Sequence, residues 1–213
     1  MQKYYGAETE KALKNFPFST HKIRVEFIKA MVQIKKAAAV ANFKAGKISK
    51  VVATAIVKAC DEILNNWQKW ESQFPLSSFQ VGAGTAVHMN VNEVLAKRAT
   101  EISGIKIHPN DHVNASQSTN DVNPSALKIS ALFLLKDLEE KLSRLVKTFE
   151  AKGKEFKNIN KLGRTHMQDA VPTTLGAEFA AYADNLENHL PYIKIAQNIA
   201  RVLNLGGITS SAV

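Results

Sequence analysis

Two polar blocks in this chain carry side chains suited to gripping an anion. The first is Ser116-Gln117-Ser118-Thr119-Asn120-Asp121, preceded by Asn114 and bounded by Pro124. The second is Gly163-Arg164-Thr165-His166-Met167-Gln168-Asp169, which sets a hydroxyl beside an imidazole just after a glycine. Each oxygen of a carboxylate accepts hydrogen bonds, so a small dicarboxylate is held by donors that converge from fixed directions. Hydroxyl and amide side chains from separated stretches meet that need.

Each of these residues also has a plainer reading. Ser118, Thr119 and Asn120 suit turns and helix caps, a role that can coexist with ligand binding. A lone His166 is more often a cap or core residue. His108, His112 and Asp111 suggest a metal, yet Pro109 spoils the helical i,i+4 face such a pair needs and no third ligand cluster follows; no metal is expected. Gly82 and Gly84 lack the downstream Lys-Ser/Thr of a phosphate loop. His21, His88 and His189 read as surface or packing residues, and the alanines from Ala37 to Ala41 as close helix packing.

The elements that must position these blocks are helices. Val25 to Lys44 places Phe27, Ile28, Met31, Val32, Ile34 and Ala38 at helical spacing, and Gly46 ends it. Ser49 to Trp67 is a second helix, with Ser49 as N-cap. Trp67 to Thr85 has no period and reads mostly as loop. Asn90 to Ser103 is a third helix. Gly104 to Pro124 is a long polar connection, and such loops in compact domains are usually functional. Two long helical patterns follow, Ser125 to Asn158 and Thr173 to Asn204, the latter kinked or split by Pro191. β-branched residues never alternate for long, so the expected fold class is all-α. A rod of 30 residues is ~45 Å long, and two cannot bury their apolar stripes against each other alone. By packing, the chain reads as part of a larger bundle.

Composition narrows the partners. The chain has 213 residues, 45% hydrophobic and 22% charged, with a net charge of +9. That charge raises the question of nucleic acid. Most of the 28 basic residues are lysines scattered through helical stretches, without interleaved aromatics to stack on bases, so no nucleic-acid partner is expected. No apolar run reaches the ~18 residues of a membrane helix, and the N-terminus has no signal-peptide core. The single cysteine, Cys60, reads as a buried reduced thiol, which points to the cytoplasm.

Four strings, in order, resemble the fumarase/aspartase lyase superfamily. Tyr5-Gly6-Ala7-Glu8-Thr9 with Asn15-Phe16 resembles the opening of its N-terminal domain, a segment that normally lies some residues inside the protein. Gly82-Ala83-Gly84-Thr85 with Met89-Asn90-Val91-Asn92-Glu93-Val94 resembles its first substrate-contacting region. His108-Pro109-Asn110-Asp111 through Asp121 resembles the second, and Gly163 to Pro172 the third. The resemblance implies an N-terminal helical domain, residues 1–122, followed by the first long helices of an incomplete bundle, residues 123–213. It implies a homotetramer whose active sites each draw on three subunits, and a reversible anti elimination giving fumarate without a cofactor. By the same resemblance Thr85, Ser118, Thr119 and Asn120 grip the substrate carboxylates, Thr165 and His166 act as catalytic residues on the opposite wall, and His108, Asn110 and Asp111 are candidates for a second anion site.

Two family features are missing from these 213 residues. The loop that carries the serine base and a substrate-binding lysine does not appear, nor do the remaining bundle helices. The tail Ile208-Thr209-Ser210-Ser211 departs from the family's usual continuation. The chain therefore resembles an N-terminal fragment, inactive by itself. On substrate, Ala83, Thr119, Asp169-Ala170-Val171-Pro172 and the lack of an arginine at Ile105 lean to aspartate ammonia-lyase. His166 leans to fumarate hydratase. A helical oligomerisation module that has lost its chemistry is the reading outside enzymes.

Overall fold

The computed structural model describes residues 2–17, 19–80 and 82–206. The departing tail Ile208–Ser211 lies outside them. The architecture is helical, as expected, with one small two-stranded sheet that the sequence reading did not anticipate. The chain divides into two compact units. One runs to Ser130 and takes back the chain from Leu203; the other is Ala131–Val202.

In the first unit, α1 spans Ala7–Asn15, α2 Val25–Lys44, α3 Lys50–Asn65, α4 Trp67–Trp70 and α5 Thr85–Ser103. Helix α2 buries Ile28, Met31, Val32, Lys35, Ala39 and Asn42, positions that recur every three or four residues on one face. Ser49 caps α3 as expected, its Oγ accepting from the Val52 amide at 3.3 Å. Cys60 on α3 is fully buried and free, and burial pushes its thiol pKa well up. Ile28, Met31, Ile56, Ile63, Leu76, Val91 and Leu95 form the centre of the core.

Three boundaries differ from the sequence reading. The stretch after Trp67 holds α4 and a 3-10 turn at Glu71–Gln73 rather than loop alone. Helix α5 begins at Thr85, five residues before Asn90. Its apolar period is masked at the start because His88, a polar residue, occupies an inward position. The connection after Gly104 contains a π-type turn, Pro109–Val113, and ends at Ser118 instead of Pro124. Helix α6, Thr119–Glu155, starts that early because Ser118 and Asp121 cap it reciprocally. Asp121 Oδ1 accepts from the Ser118 amide at 2.9 Å, and Ser118 Oγ from the Asn120 amide at 3.2 Å. Pro124 lies in the second turn, where it forgoes one helical N–H.

The first helix, α1, carries too short an apolar pattern to show in sequence, and a side chain from elsewhere closes its start. The Glu93 carboxylate on α5 accepts from the amides of Gly6 (2.9 Å), Glu8 (2.9 Å) and Thr9 (3.2 Å) and from the Thr9 hydroxyl (2.6 Å). These are the orphan donors of a helix N-terminus.

The second unit holds the rest of α6, the hairpin β1 (Asn160–Thr165) and β2 (Gln168–Thr174), α7 (Leu175–Glu187) and α8 (Leu190–Ala200). Pro191 does split the last helical pattern, sitting in the first turn of α8 where its missing N–H costs nothing. Helices α6 and α7 meet at glycines: a Cβ on Gly176 would lie 2.5 Å from the Gly153 carbonyl. Phe149, Phe156, Phe179 and Tyr182 form a ring cluster beside that contact. Beyond Val146, Gly176 and Ala183 little is fully buried here, and Phe133, Leu138, Leu145, Tyr192, Ile195 and Ile199 are exposed. No helix among the described residues is long and apolar enough to cross a membrane.

Candidate functional site

In the first unit the N-termini of α5 and α6 are tied together. Gly84, at φ 88°, turns the chain into α5 and leaves Thr85 as its first residue. Asn123, from the second turn of α6, donates through Nδ2 to the Ala83 carbonyl at 2.8 Å. That amide lies so close that a Cβ on Gly84 would come within 1.9 Å of it. One turn into α5, His88 Nδ1 lies 2.8 Å from Thr119 Oγ1. The structure thus links the Gly82–Thr85 loop to Asn123 and the first turn of α5 to Thr119, at the start of the helix that Ser118 caps. The side chains of Thr85 and Asn120 are exposed and make no hydrogen bond among the described residues. Unpaired donors beside two helix N-termini are suited to an anion.

Behind Thr119 lies a set of residues that the sequence reading passed over. Lys35 is fully buried. Its Nζ lies 2.6 Å from His88 Nε2, and donates to Asn114 Oδ1 at 2.7 Å and Gln117 Oε1 at 3.0 Å. Burial pulls the Lys35 pKa down to about 7, against the opposing pull of Asp121. His88 is held down to about 3, by burial first and the Lys35 charge second, so its ring is neutral. A signal for both was present: Lys35 falls on the inward stripe of α2 and His88 on that of α5, where an ionisable side chain needs partners. Asn114 was noted only as a flank of the polar block.

The second-site candidates serve their own turn. His108 Nδ1 accepts from the amides of Asn110 (3.3 Å) and Asp111 (3.2 Å), and His112 Nδ1 accepts from the His108 amide at 2.8 Å. His108, Asn110 and Asp111 are all exposed. Among the described residues no group of three His, Cys, Asp or Glu stands close enough to hold a metal ion.

Thr165 and His166 belong to the second unit. Thr165 ends β1 and pairs with Gln168; His166 and Met167 form the two-residue turn between them. Their φ values of 48° and 61° mark a type I′ turn, normally filled by Asn-Gly. A register shift between Leu162 and Arg164 bulges the strand just before it, at Gly163, where a Cβ would meet the Val171 carbonyl at 3.1 Å. Both Thr165 and His166 are exposed, and their side chains have no hydrogen-bond partner among the described residues. Backbone strain at an exposed histidine is a common mark of function.

A lyase family model covers residues 1–212. The chain is 45% identical over 209 residues to aspartate ammonia-lyase from Bacillus subtilis, covering 95% of this chain and 44% of that protein. It is 46% identical over 211 residues to class II fumarate hydratase from Helicobacter pylori, covering 96% and 45%. The crystal structure of fumarate lyase:delta crystallin from Brucella melitensis superposes with a TM-score of 0.91 at 42% identity, over 96% of this chain and 49% of that one. The chain spans about 45% of the length of the curated relatives it matches. With a family model across nearly its whole length, its polar strings in the family's order and its helical fold, the chain belongs to the fumarase/aspartase lyase superfamily.

Proposed function

We propose that this chain supplies substrate-gripping segments of an enzyme that reversibly deaminates L-aspartate to fumarate and ammonia. The observation that carries the reading is the set of hydroxyl and amide groups at the joined starts of α5 and α6: Thr85 and Asn120 with side chains unpaired among the described residues, Ser118 accepting from the Asn120 amide, and Thr119 against His88. Removing a proton beside a carboxylate loads that carboxylate with a second negative charge, as an aci-carboxylate. Donors fixed where the charge grows lower the barrier more than donors that must reorient. The first turn of α6 supplies such donors on rigid backbone, and the Ser118–Asp121 cap holds them.

Thr165 and His166 take the opposite wall of an active site in this proposal, in a homo-oligomer, the family's tetramer, where walls come from different subunits. The exposed apolar side chains of α6 to α8 suit burial against further helices. His108, Asn110 and Asp111 are assigned to a second anion site, no cofactor is required, and the cytoplasm is the proposed setting. Ala83 and Thr119 favour aspartate. His166 favours the alternative, hydration of fumarate to L-malate.

The chain alone is expected to be inactive, because the loop with the serine base is not among its residues. The test pairs it with the C-terminal portion of the B. subtilis relative and follows fumarate by ultraviolet absorbance. Fumarate from L-aspartate supports the proposal; fumarate only from L-malate selects the hydratase. A folded pair inert with both substrates points to a non-catalytic helical module. Fumarate production by the chain alone overturns the expectation of inactivity.

A further inference from the structure

Thr119 is the front end of a line of side chains that the reading above leaves unused, and the acceptors around Lys35 fix its polarity. Asn114 Nδ2 donates to the Gln117 carbonyl at 3.2 Å, and Gln117 Nε2 to the carbonyls of Val113 (3.1 Å) and Ala115 (3.0 Å). Both amides therefore turn their oxygens to Lys35. With His88 Nε2 they make three acceptors around one nitrogen, which matches the three protons of an ammonium. An amine, with two protons, would suit the same three partners only with His88 donating to it through Nε2.

The remaining protons follow. If Lys35 donates to His88 Nε2, the neutral ring carries its proton on Nδ1, and Nδ1 donates to Thr119 Oγ1. A threonine in a helix ordinarily turns its own proton back to the carbonyl four residues earlier. Here that carbonyl, Ala115, already accepts from Asn42 Nδ2 (2.8 Å) and Gln117 Nε2. With Nδ1 donating, the Thr119 proton has no acceptor among the described residues.

We propose that Lys35 and His88 are positioning residues, a buried relay that holds the Thr119 hydroxyl as a donor toward a bound carboxylate. The proposal rests on the dicarboxylate reading of the site. Its polarity depends on the charge of Lys35, which is faced by His88 from α5, Cys60 from α3 and Asp121 from α6. Loss of that charge lets the ring donate to the amine through Nε2 and turns the Thr119 proton inward, to Nδ1.

Long-range ¹⁵N correlation spectra of the histidines in the 213-residue chain test the relay without activity. At pH 6 the expected result is His88 as the neutral Nδ1–H tautomer, shifting toward Nε2–H above pH 8. An Nε2–H ring or an imidazolium at pH 6 overturns the relay. Lys35→Met should give the Nε2–H tautomer at pH 6; if that variant does not fold, the wild-type pH series decides.

Fumarate, titrated by amide shifts, is the functional probe. Lys35→Met, His88→Phe and Thr119→Val should each weaken binding about tenfold, Thr119→Ser should retain it, and Lys35→Met with Thr119→Val should be no weaker than Thr119→Val alone. Additive losses overturn the relay. A wild-type chain blind to fumarate counts against the dicarboxylate reading, and the tautomer alone then judges the relay.

Discussion

The two blocks of polar residues were alike in sequence and are opposite in structure. The block ending in α6 is held from behind: Lys35, His88, Asn114, Gln117 and the Ser118–Asp121 cap spend most of their hydrogen bonds on one another. The hairpin block is held by its backbone ladder and one exposed ion pair, Arg164 Nε to Asp169 Oδ1 at 3.1 Å, with His166 on a strained turn and Met167 93% exposed. The lesson is that donors can be fixed in two ways. One is a buried network, costly to desolvate but rigid. The other is chain geometry alone, which leaves the side chain open to whatever covers it.

The sharpest way to break this contrast is Lys35→Ala. It deletes a buried stem and strands three acceptors, so it should cost the first unit about 3 kcal/mol in urea unfolding, read by the fluorescence of Trp67 and Trp70. A cost near zero would mean that the network is not what fixes this block. Gly84→Ala comes next. Its positive φ and the crowding by Asn123 predict a loss of about 2 kcal/mol.

The pH dependence of stability is a third test. With its pKa lowered to about 7 from 10.5, Lys35 binds fewer protons folded than unfolded above pH 7. Stability should therefore rise with pH between 7 and 9, by a slope on the order of 1 kcal/mol per unit. Above pH 9 the raised Cys60 thiol works the other way, because the unfolded chain loses that proton first; it offsets the Lys35 rise, and stability falls only above about pH 10.5, where the unfolded lysine also loses its proton. Lys35→Met should flatten the rise between 7 and 9. The smallest effect belongs to the hairpin. Met167→Gly should relieve a left-handed residue and stabilise the second unit by about 0.5 kcal/mol, after the added chain entropy of glycine, measured by amide exchange in β1 and β2.

Helices with apolar residues from the first turn onward were legible: α2 is legible to its ends even with Lys35 and Asn42 on its inward stripe, and Pro191 divides the last pattern as its chemistry requires. Ends set by polar residues were not. Helix α5 was read short because His88 interrupts the stripe it belongs to, and α6 because its four-residue cap, Ser118 to Asp121, looks like a loop. The hairpin gave no signal, since most of β1 and β2 is exposed and carries no apolar alternation. The candidate site was legible where its residues cluster in sequence. Lys35, 79 residues from Asn114, can be joined to it only by folding.

Glu93 gives the molecule an internal standard for the chemistry proposed at α6. A carboxylate already sits in the mouth of a helix here, ringed by three amides and a threonine hydroxyl at 2.6–3.2 Å. The string Asn92-Glu93-Val94 thus serves, through this residue, as an anchor for the start of the chain. It also shows what capture of a free diacid should look like: contacts of the same number and length, made by a guest in place of a tethered side chain.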